Sequence, residues 1–277
     1  MTHRKLSTIL SATLLFAGLS ATSFCQSTEH EDFDNYKLRI DAGWYYSSPS
    51  GYIQASGSGP NVGTIDLQRD LGLPNYSTFA GKVDWKFTRK NHLFLQAIPF
   101  NMSHQTVLAR TFTFQGQTFT AGLTTSSSLN TTYLAPGYQY DFIRGKRGHL
   151  GLALQMDLFN AKANINATAQ IVGGVAHPAV SASGSLLAPI PVAGPDVRFY
   201  LTHSPRVFVH ANVLGMYLFG YGNFVSSEGN LGLNLSKHFA AVAGYQLASH
   251  LQVNNASDRI GLRFTQKGAL VGLETSF

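Results

Sequence analysis

From residue 36 onward, apolar and polar side chains alternate with a period of two over several stretches of the chain. In the first stretch, one face carries Tyr36, Leu38, Ile40, Ala42, Trp44 and Tyr46, and the other carries Lys37, Arg39 and Asp41. The alternation recurs near residues 79–87, 149–158, 196–202, 230–236 and 238–252. Successive side chains of a β-strand point to opposite faces, so the pattern predicts an all-β chain.

The two faces of these strands differ in a way that a membrane would explain. The polar face carries charges of both signs close together, as in Lys82, Asp84 and Lys86, which suits a wetted barrel interior. The apolar face ends in aromatic residues: Trp44, Tyr46, Trp85, Phe87, Tyr138, Tyr140 and Phe142. Aromatic residues at strand ends are typical of membrane interfaces. We therefore predict a transmembrane β-barrel, with a periplasmic β-sandwich as the alternative.

Connections of two kinds set the expected topology. Short polar turns fall at 89–91, 144–148, 203–206 and 236–238, and longer connections fall at roughly 48–76, 113–118, 171–190, 222–228 and 253–258. This predicts a closed antiparallel up-and-down barrel of about ten strands, with eight or twelve as alternatives and the short turns in the periplasm. A sheet in hydrocarbon must close on itself, so residues 269–277 should pair with residues 36–46.

Several local features bear on the barrel interior. Inward charges are the candidates for a paired lumen network: Lys37, Arg39, Asp41, Lys82, Asp84, Lys86, Asp141, Asp157, Arg198 and Arg206. Small barrels are filled by their own side chains, so at most a thin water path should remain. The apolar, charged stretch 65–74 predicts a loop plug over the mouth, formed by Asp66, Leu67, Asp70 and Leu71.

Three stretches break the regular pattern. The alternation changes phase between Leu158 and Ala161, which fits either a bulge or a strand that leaves the bilayer. Pro99 and Pro136 fall inside otherwise good strands, and each predicts a bulge or an irregular edge. The segment 173–194 is rich in Gly, Ala, Ser and Pro, and we expect it to be a mobile loop.

The first 35 residues predict export. Residues 1–25 combine a basic start, an apolar stretch at 9–21 and small residues at Ser23 and Cys25. These are the features of a signal peptide, and they predict cleavage before Gln26. Residues 26–35 are expected to be an acidic, solvated periplasmic leader, and 36–277 the barrel domain. Cys25 is the only cysteine, so the mature chain should have neither a disulfide nor a thiolate metal cluster.

Composition and motif spacing argue against several functions. The formal charge is +6, but charged residues make up only 12% of the chain and form no long basic run, which disfavours nucleic acid as a partner. Neighbouring pairs such as His203 and Ser204 would point to opposite faces of a strand, so no catalytic constellation is predicted. We likewise predict no cofactor and no metal site, because the histidines lack ligand spacing.

The final residues, Gly272 to Phe277, resemble the C-terminal signal by which outer-membrane barrels engage their assembly machinery, with Gly272 and Phe277 as its main positions. The chain is similar to the small outer-membrane β-barrel proteins, a group that includes OmpA-like, OmpW-like and opacity-type barrels. The resemblance covers residues 36–277 and implies an outer-membrane location and outer-membrane lipid as a partner, but it points to no particular activity.

Three hypotheses about function follow. The first is a non-enzymatic barrel, either structural or a narrow passive pore for small solutes. The second is an enzyme that modifies lipid A or phospholipid. The third is an adhesion or surface-binding barrel that acts through its extracellular loops.

Overall fold

The structure is a computed structural model that describes residues 34–54, 64–114, 116–201, 207–218, 222–254 and 261–277. The predicted signal peptide, leader residues 26–33 and Arg206 lie outside the described residues. Within the strands, the side chains at 53–54, 161, 186, 188, 218, 222, 247–254, 261–262 and 264 are not described either.

The described residues are almost entirely β-sheet. The strands are β1 (Leu38–Gln54), β2 (Thr64–Asp66), β3 (Tyr76–Lys86), β4 (Asn91–Val107), β5 (Phe112–Phe114), β6 (Gln117–Phe119), β7 (Thr124–Gly145), β8 (Gly148–Ala167), β9 (Gln170–Val172), β10 (Val175–His177), β11 (Val180–Tyr200), β12 (Val207–Leu218), β13 (Gly222–Asn234), β14 (Phe239–Asn254) and β15 (Gly261–Ser276). Among the residues described, no helix is long and apolar enough to cross a membrane.

Ten of these strands form one closed antiparallel barrel. Their order is β1, β3, β4, β7, β8, β11, β12, β13, β14 and β15, and β15 pairs back with β1. Strand β2 adds to the edge of β1, while β5–β6 and β9–β10 are separate hairpins. The prediction of a ten-strand up-and-down barrel is confirmed. We call the end that carries the turns 87–90, 146–147 and 235–238 the short-turn end, and the opposite end the long-loop end.

The seam of the barrel has the predicted partners. The register runs from Arg39 opposite Ser276 to Tyr46 opposite Ala269. Beyond it, the Phe277 amide donates to the Leu38 carbonyl at 2.8 Å, and the Leu38 amide donates back at 3.1 Å. The closing strand therefore satisfies its backbone groups to its last residue, as a hydrocarbon environment requires.

On the outer face of the barrel, large apolar side chains form a belt toward the short-turn end. Large exposed side chains include Trp44, Tyr46, Phe79, Trp85, Phe87, Leu93, Leu95, Tyr140, Leu152, Leu154, Phe199, Phe239, Val271, Leu273 and Phe277. Tyr36 departs from its expected outward position. It precedes β1, and its buried hydroxyl instead donates to Asp84 inside the barrel at 2.8 Å.

Strand β8 explains the phase change near residue 160. Its pairing with both neighbours continues through this region without a shift in register, so there is no bulge. On the short-turn side of residue 158, Leu152 and Leu154 face outward. On its long-loop side, Asn160 and Lys162 face outward, and Phe159 and Ile165 are buried inside the barrel. The pattern inverts because water replaces hydrocarbon outside the strand, and the interior then becomes the apolar side.

The inversion defines a part of the barrel that we call the outer wall, formed by residues 99–107, 124–134, 158–167 and 180–190 of β4, β7, β8 and β11. Strand β7 has 22 residues and β11 has 21, whereas crossing a bilayer takes about 9–11. The residues in excess of that length form the outer wall, which extends from the long-loop end of the barrel.

The expectation of a mobile loop at 173–194 is wrong over residues 180–194, which belong to β11 and pair with β8 throughout. Its small residues fit because Ser181, Ser183 and Ser185 alternate with Ala182 and Gly184 across the sheet. Among the described residues, β12 pairs with β11 only from Ala193 onward. Pro189 and Pro191 therefore stand on an edge where no amide donor is needed.

Candidate functional site

The short-turn half of the lumen is crossed by an ion pair. Arg198 on β11 donates Nη1 to Glu274 Oε2 at 2.8 Å, and Nη2 to Oε1 at 2.5 Å. Four strand positions separate β11 from β15 around the barrel, so the bond bridges the lumen. Arg39 Nε also lies 3.4 Å from Glu274, and Arg198 stacks 3.6 Å over the Phe208 ring. All three charged groups are buried, which closes this level.

Beside this pair, one buried histidine joins two carboxylates. His92 Nδ1 lies 3.2 Å from Asp84, and His92 Nε2 lies 2.9 Å from Asp141. The Gln139 amide then donates to both Asp141 and Asp196, at 2.9 and 3.2 Å. Alternating imidazole and carboxylate groups satisfy one another where water is scarce.

A second histidine links the segment before β1 to the barrel wall. His149 Nδ1 lies 3.0 Å from Asp34, and its Nε2 lies 3.2 Å from Asp196, which also contacts His210 at 3.0 Å. Burial raises the pKa of the Asp34 carboxyl. The hydrogen bond with His149 and the charges of His149, Lys86 and Arg39 outweigh burial and hold that pKa well below its usual range.

A cavity of about 70 Å³ lies next to these charges, lined in part by Arg39, Asp41, Lys82, Glu228 and Asn230. It has room for roughly five water molecules at 10–15 Å³ each. The buried atoms Asp41 Oδ1 and Asn230 Oδ1 have no hydrogen-bond partner among the residues that the structure describes. Ordered water in the cavity would satisfy them.

The long-loop half of the lumen is apolar. The Tyr133, Phe159 and Phe224 rings pack in a row, with centroid distances of 5.0 and 6.1 Å, and the Phe159–Phe224 contact crosses from β8 to β13. Other buried residues at this level are Tyr45, Tyr76, Phe94, Ile98, Phe100, Ile190, Val192 and Leu214. Asp157 is fully buried here and accepts hydrogen bonds from Tyr133 at 2.7 Å and from Gln155.

Above this level lies a structure that we call the cap, formed by residues 64–73 and 108–123. Leu67, Leu71 and Leu73 are buried in one cluster with Phe112 and Phe119 of the β5–β6 hairpin. Gly72 lies against His104 and Thr106 on the inner face of β4. The cap therefore lines the inside of the outer wall.

A carboxylate clamp joins the two parts of the cap. Asp70 Oδ2 accepts the Asp66 amide at 2.8 Å, and both Asp70 oxygens bind Arg110. Asp66 Oδ1 accepts the amides of Gln68 and Arg69, which fixes the turn. Burial raises the pKa of Asp70, but the Arg110 bond, the Asp66 amide and the Arg110 charge together lower it below its usual value.

The outer face of the wall is a regular polar grid. Across β4, β7, β8 and β11, three successive rows read Asn101–Asn130–Lys162–Ser185, Ser103–Ser128–Asn164–Ser183 and Gln105–Ser126–Asn166–Ser181. All positions but one carry a hydroxyl or amide group, and Lys162 is the single charge in these rows. These three rows are hydrophilic and nearly neutral, while Val107 and Leu187 are apolar residues exposed elsewhere on the wall.

The structure places the predicted site residues as follows. Arg39, Asp84, Lys86, Asp141 and Arg198 are buried together in the short-turn half, while Asp41 and Lys82 line the adjoining cavity. Asp157 is buried in the apolar half, Lys37 is exposed before β1, and Arg206 is not described. Asp66, Leu67, Asp70 and Leu71 all lie in the cap. Gly272 and Phe277 lie on or beside the closing strand.

Sequence reasoning assigned Asp196 to the polar inner face with Arg198, but it missed several other members of the cluster: Asp34, His92, His149, His210 and Glu274. Alternation offered a signal for Glu274, since Val271 and Leu273 face outward. The sequence carries no comparable signal for Asp34, which precedes the first strand. Among the described residues, the histidines with carboxylate contacts, His92, His149 and His210, lie in the short-turn half.

Comparison with known proteins supports the fold. No protein-family model and no curated protein sequence matches the chain. The Escherichia coli outer-membrane protease OmpT matches with TM-score 0.59 and 9% identity, over 87% of this chain and 96% of that one. The translocator domain of the Neisseria meningitidis autotransporter NalP gives TM-score 0.43 at 12% identity, covering 98% of each chain. The Pseudomonas putida toluene transporter TodX gives 0.39 at 7%, covering 87% and 90%.

The closed ten-strand sheet and its apolar belt, together with the match to the OmpT fold, define the class. The chain is a bacterial outer-membrane β-barrel protein. At identities this low, the comparisons show the fold alone, and the activities of the neighbouring structures are not assigned to this chain.

Proposed function

We propose that this protein is a non-enzymatic, closed outer-membrane barrel that binds partners at the cell surface through its outer wall and cap. One observation carries the proposal: side chains cross the lumen at two levels, through Arg198–Glu274 below and Phe159–Phe224 above. A barrel filled in this way anchors a structure outside the membrane more readily than it conducts solutes.

The outer wall supports the binding role. Its grid offers many hydrogen-bond donors and acceptors and little charge, which complements hydroxyl-rich saccharides better than apolar or strongly charged partners. The cap stiffens the wall from inside, so the grid is preorganised and ordering it would cost little on binding.

Conductance tests the closed lumen. The purified barrel in a planar bilayer should show no steady ion current, and a variant that removes both crossings, Phe159→Ala/Phe224→Ala combined with Arg198→Ala/Glu274→Ala, should conduct. A matched Leu152→Ala variant changes only the lipid face and should stay silent. Steady current through the wild-type barrel would favour the narrow passive pore.

Binding tests the outer wall. Cells that display the wild-type barrel should retain fluorescent dextran, a neutral polysaccharide probe. Replacing Ser103, Ser128, Asn164 and Ser183 by Ala should reduce retention several-fold at equal surface amounts. Equal retention by the two strains would count against the wall as a binding surface. Lipid A mass spectra of a deletion strain should be unchanged, whereas an altered spectrum would support a lipid-modifying enzyme.

A further inference from the structure

Asp34 has an unusual position for a residue outside the barrel sheet. It precedes β1, yet it is fully buried at the short-turn mouth. Basic side chains from four barrel strands face its carboxylate: Arg39 of β1 at 3.3 Å, Lys86 of β3 at 3.5 Å, Arg144 of β7 at 3.9 Å and His149 of β8 at 3.0 Å.

The barrel holds these basic groups through contacts other than the Asp34 carboxylate. Arg39 lies 3.7 Å over the Tyr36 ring and close to Glu274. Lys86 lies 4.2 Å from the same ring, and His149 contacts Asp196. If the Asp34 carboxylate were removed, the basic groups would remain clustered and would lose a counter-charge that all four contact. Losing a shared counter-charge in a buried place is costly, so such a cluster attracts an anion.

The same place has to be weighed as a cation site. Asp34, Asp141 and His149 each offer one ligand atom, all within 4.8 Å of one another. A metal ion there would have to sit beside Lys86, Arg39 and Arg144, whose positive charges repel it. The ion-pair contacts of the Asp34 carboxylate are all with basic groups, which favours a negative occupant at that position.

We propose that the short-turn mouth is a binding site for a small oxyanion, a carboxylate or a phosphate, and that Asp34 fills it in cis. The ligand would enter from the periplasmic side and would displace the Asp34 segment from the mouth. The proposal is independent of the surface-binding role, since the site lies at the opposite end of the barrel from the outer wall.

Calorimetric titration of an Asp34→Ala barrel tests the site at fixed ionic strength, with formate and inorganic phosphate as separate probes. The variant should bind at least one probe tenfold more tightly than the wild type, whose site is already filled. If formate alone binds, the site takes carboxylates; if phosphate binds more tightly, it takes phosphate groups.

Two further variants make the result specific. Asp157→Ala removes a buried carboxylate whose partners are Tyr133 and Gln155, and it should bind neither probe. Adding Lys86→Met to Asp34→Ala should abolish binding. If Asp34→Ala gives no heat-modifiable barrel, Asp34→Ser, which is also shorter than the native side chain, replaces it with the same expectation. Binding of both probes no tighter than by the wild type would overturn the proposal.

Discussion

Arg198 and Glu274 form a two-pronged ion pair across the lumen, between strands that do not touch in the sheet. The pair spans the lumen at this level, since the two side chains come from opposite walls. It also ties the closing strand β15 to β11, so that the seam is supported from inside as well as by its backbone bonds.

Breaking this pair should destabilise the barrel strongly. Glu274→Gln leaves Arg198 and Arg39 buried with less compensation, and we expect a loss of about 3–5 kcal/mol in the free energy of unfolding. The double variant Arg198→Met/Glu274→Gln should lose less than the sum of the single variants. Urea unfolding of barrels refolded in lipid vesicles measures both. Additive losses would mean that the two side chains do not act as a pair.

Gly137 should tolerate no side chain. A Cβ at this position would overlap the Phe94 ring, which lies directly on the glycine inside the barrel. We expect Gly137→Ala to cost about 1–3 kcal/mol, as overpacking of a filled interior does. At Gly229 an added Cβ meets nothing within 4 Å, so Gly229→Ala is the matched control. Adding Phe94→Leu should recover part of the loss, and equal unfolding of the two glycine variants would contradict this account.

The docking of the cap should depend on pH through Asp70. Its folded pKa is lowered, so its contribution is present above the unfolded value of about 3.9 and is lost as pH falls through the folded pKa. Methyl NMR signals of Leu67 and Leu71 should therefore stay in their buried positions at neutral pH and shift below about pH 4. Asp70→Asn should show the shifted signals already at pH 7. Signals that stay unchanged down to pH 2 would refute the clamp.

Phe277 should be needed for assembly. The side chain is exposed on the lipid face in line with Val271 and Leu273, and its backbone pairs with Leu38. Phe277→Asp places a charge on that face and should reduce the heat-modifiable barrel recovered in outer-membrane fractions. Ser276→Ala, next in the chain, should leave it unchanged. Normal recovery of the aspartate variant would argue against an assembly signal.

Local pattern was enough to predict much of the fold. Lys82, Asp84 and Lys86 alternate with Val83 and Trp85, and that alternation alone assigns them to the inner face. The same rule failed at Tyr36, where the chain leaves the strand and turns inward. It also failed over 180–194, because small residues in an outer wall surrounded by water need no apolar outward face to form a strand.

By itself, the sequence determined the strand class and the apolar belt, and it predicted about ten strands and the pairing of residues 269–277 with residues 36–46. The structure gives ten strands and a register that begins with Arg39 opposite Ser276. These predictions follow from alternation and from the need to satisfy backbone bonds in hydrocarbon. Only the tertiary structure decided what fills the lumen. Asp34 meets His149, and Arg198 meets Glu274, only after closure brings distant strands to face one another. Those contacts depend on the curvature and stagger of the barrel, which no local pattern of residues encodes.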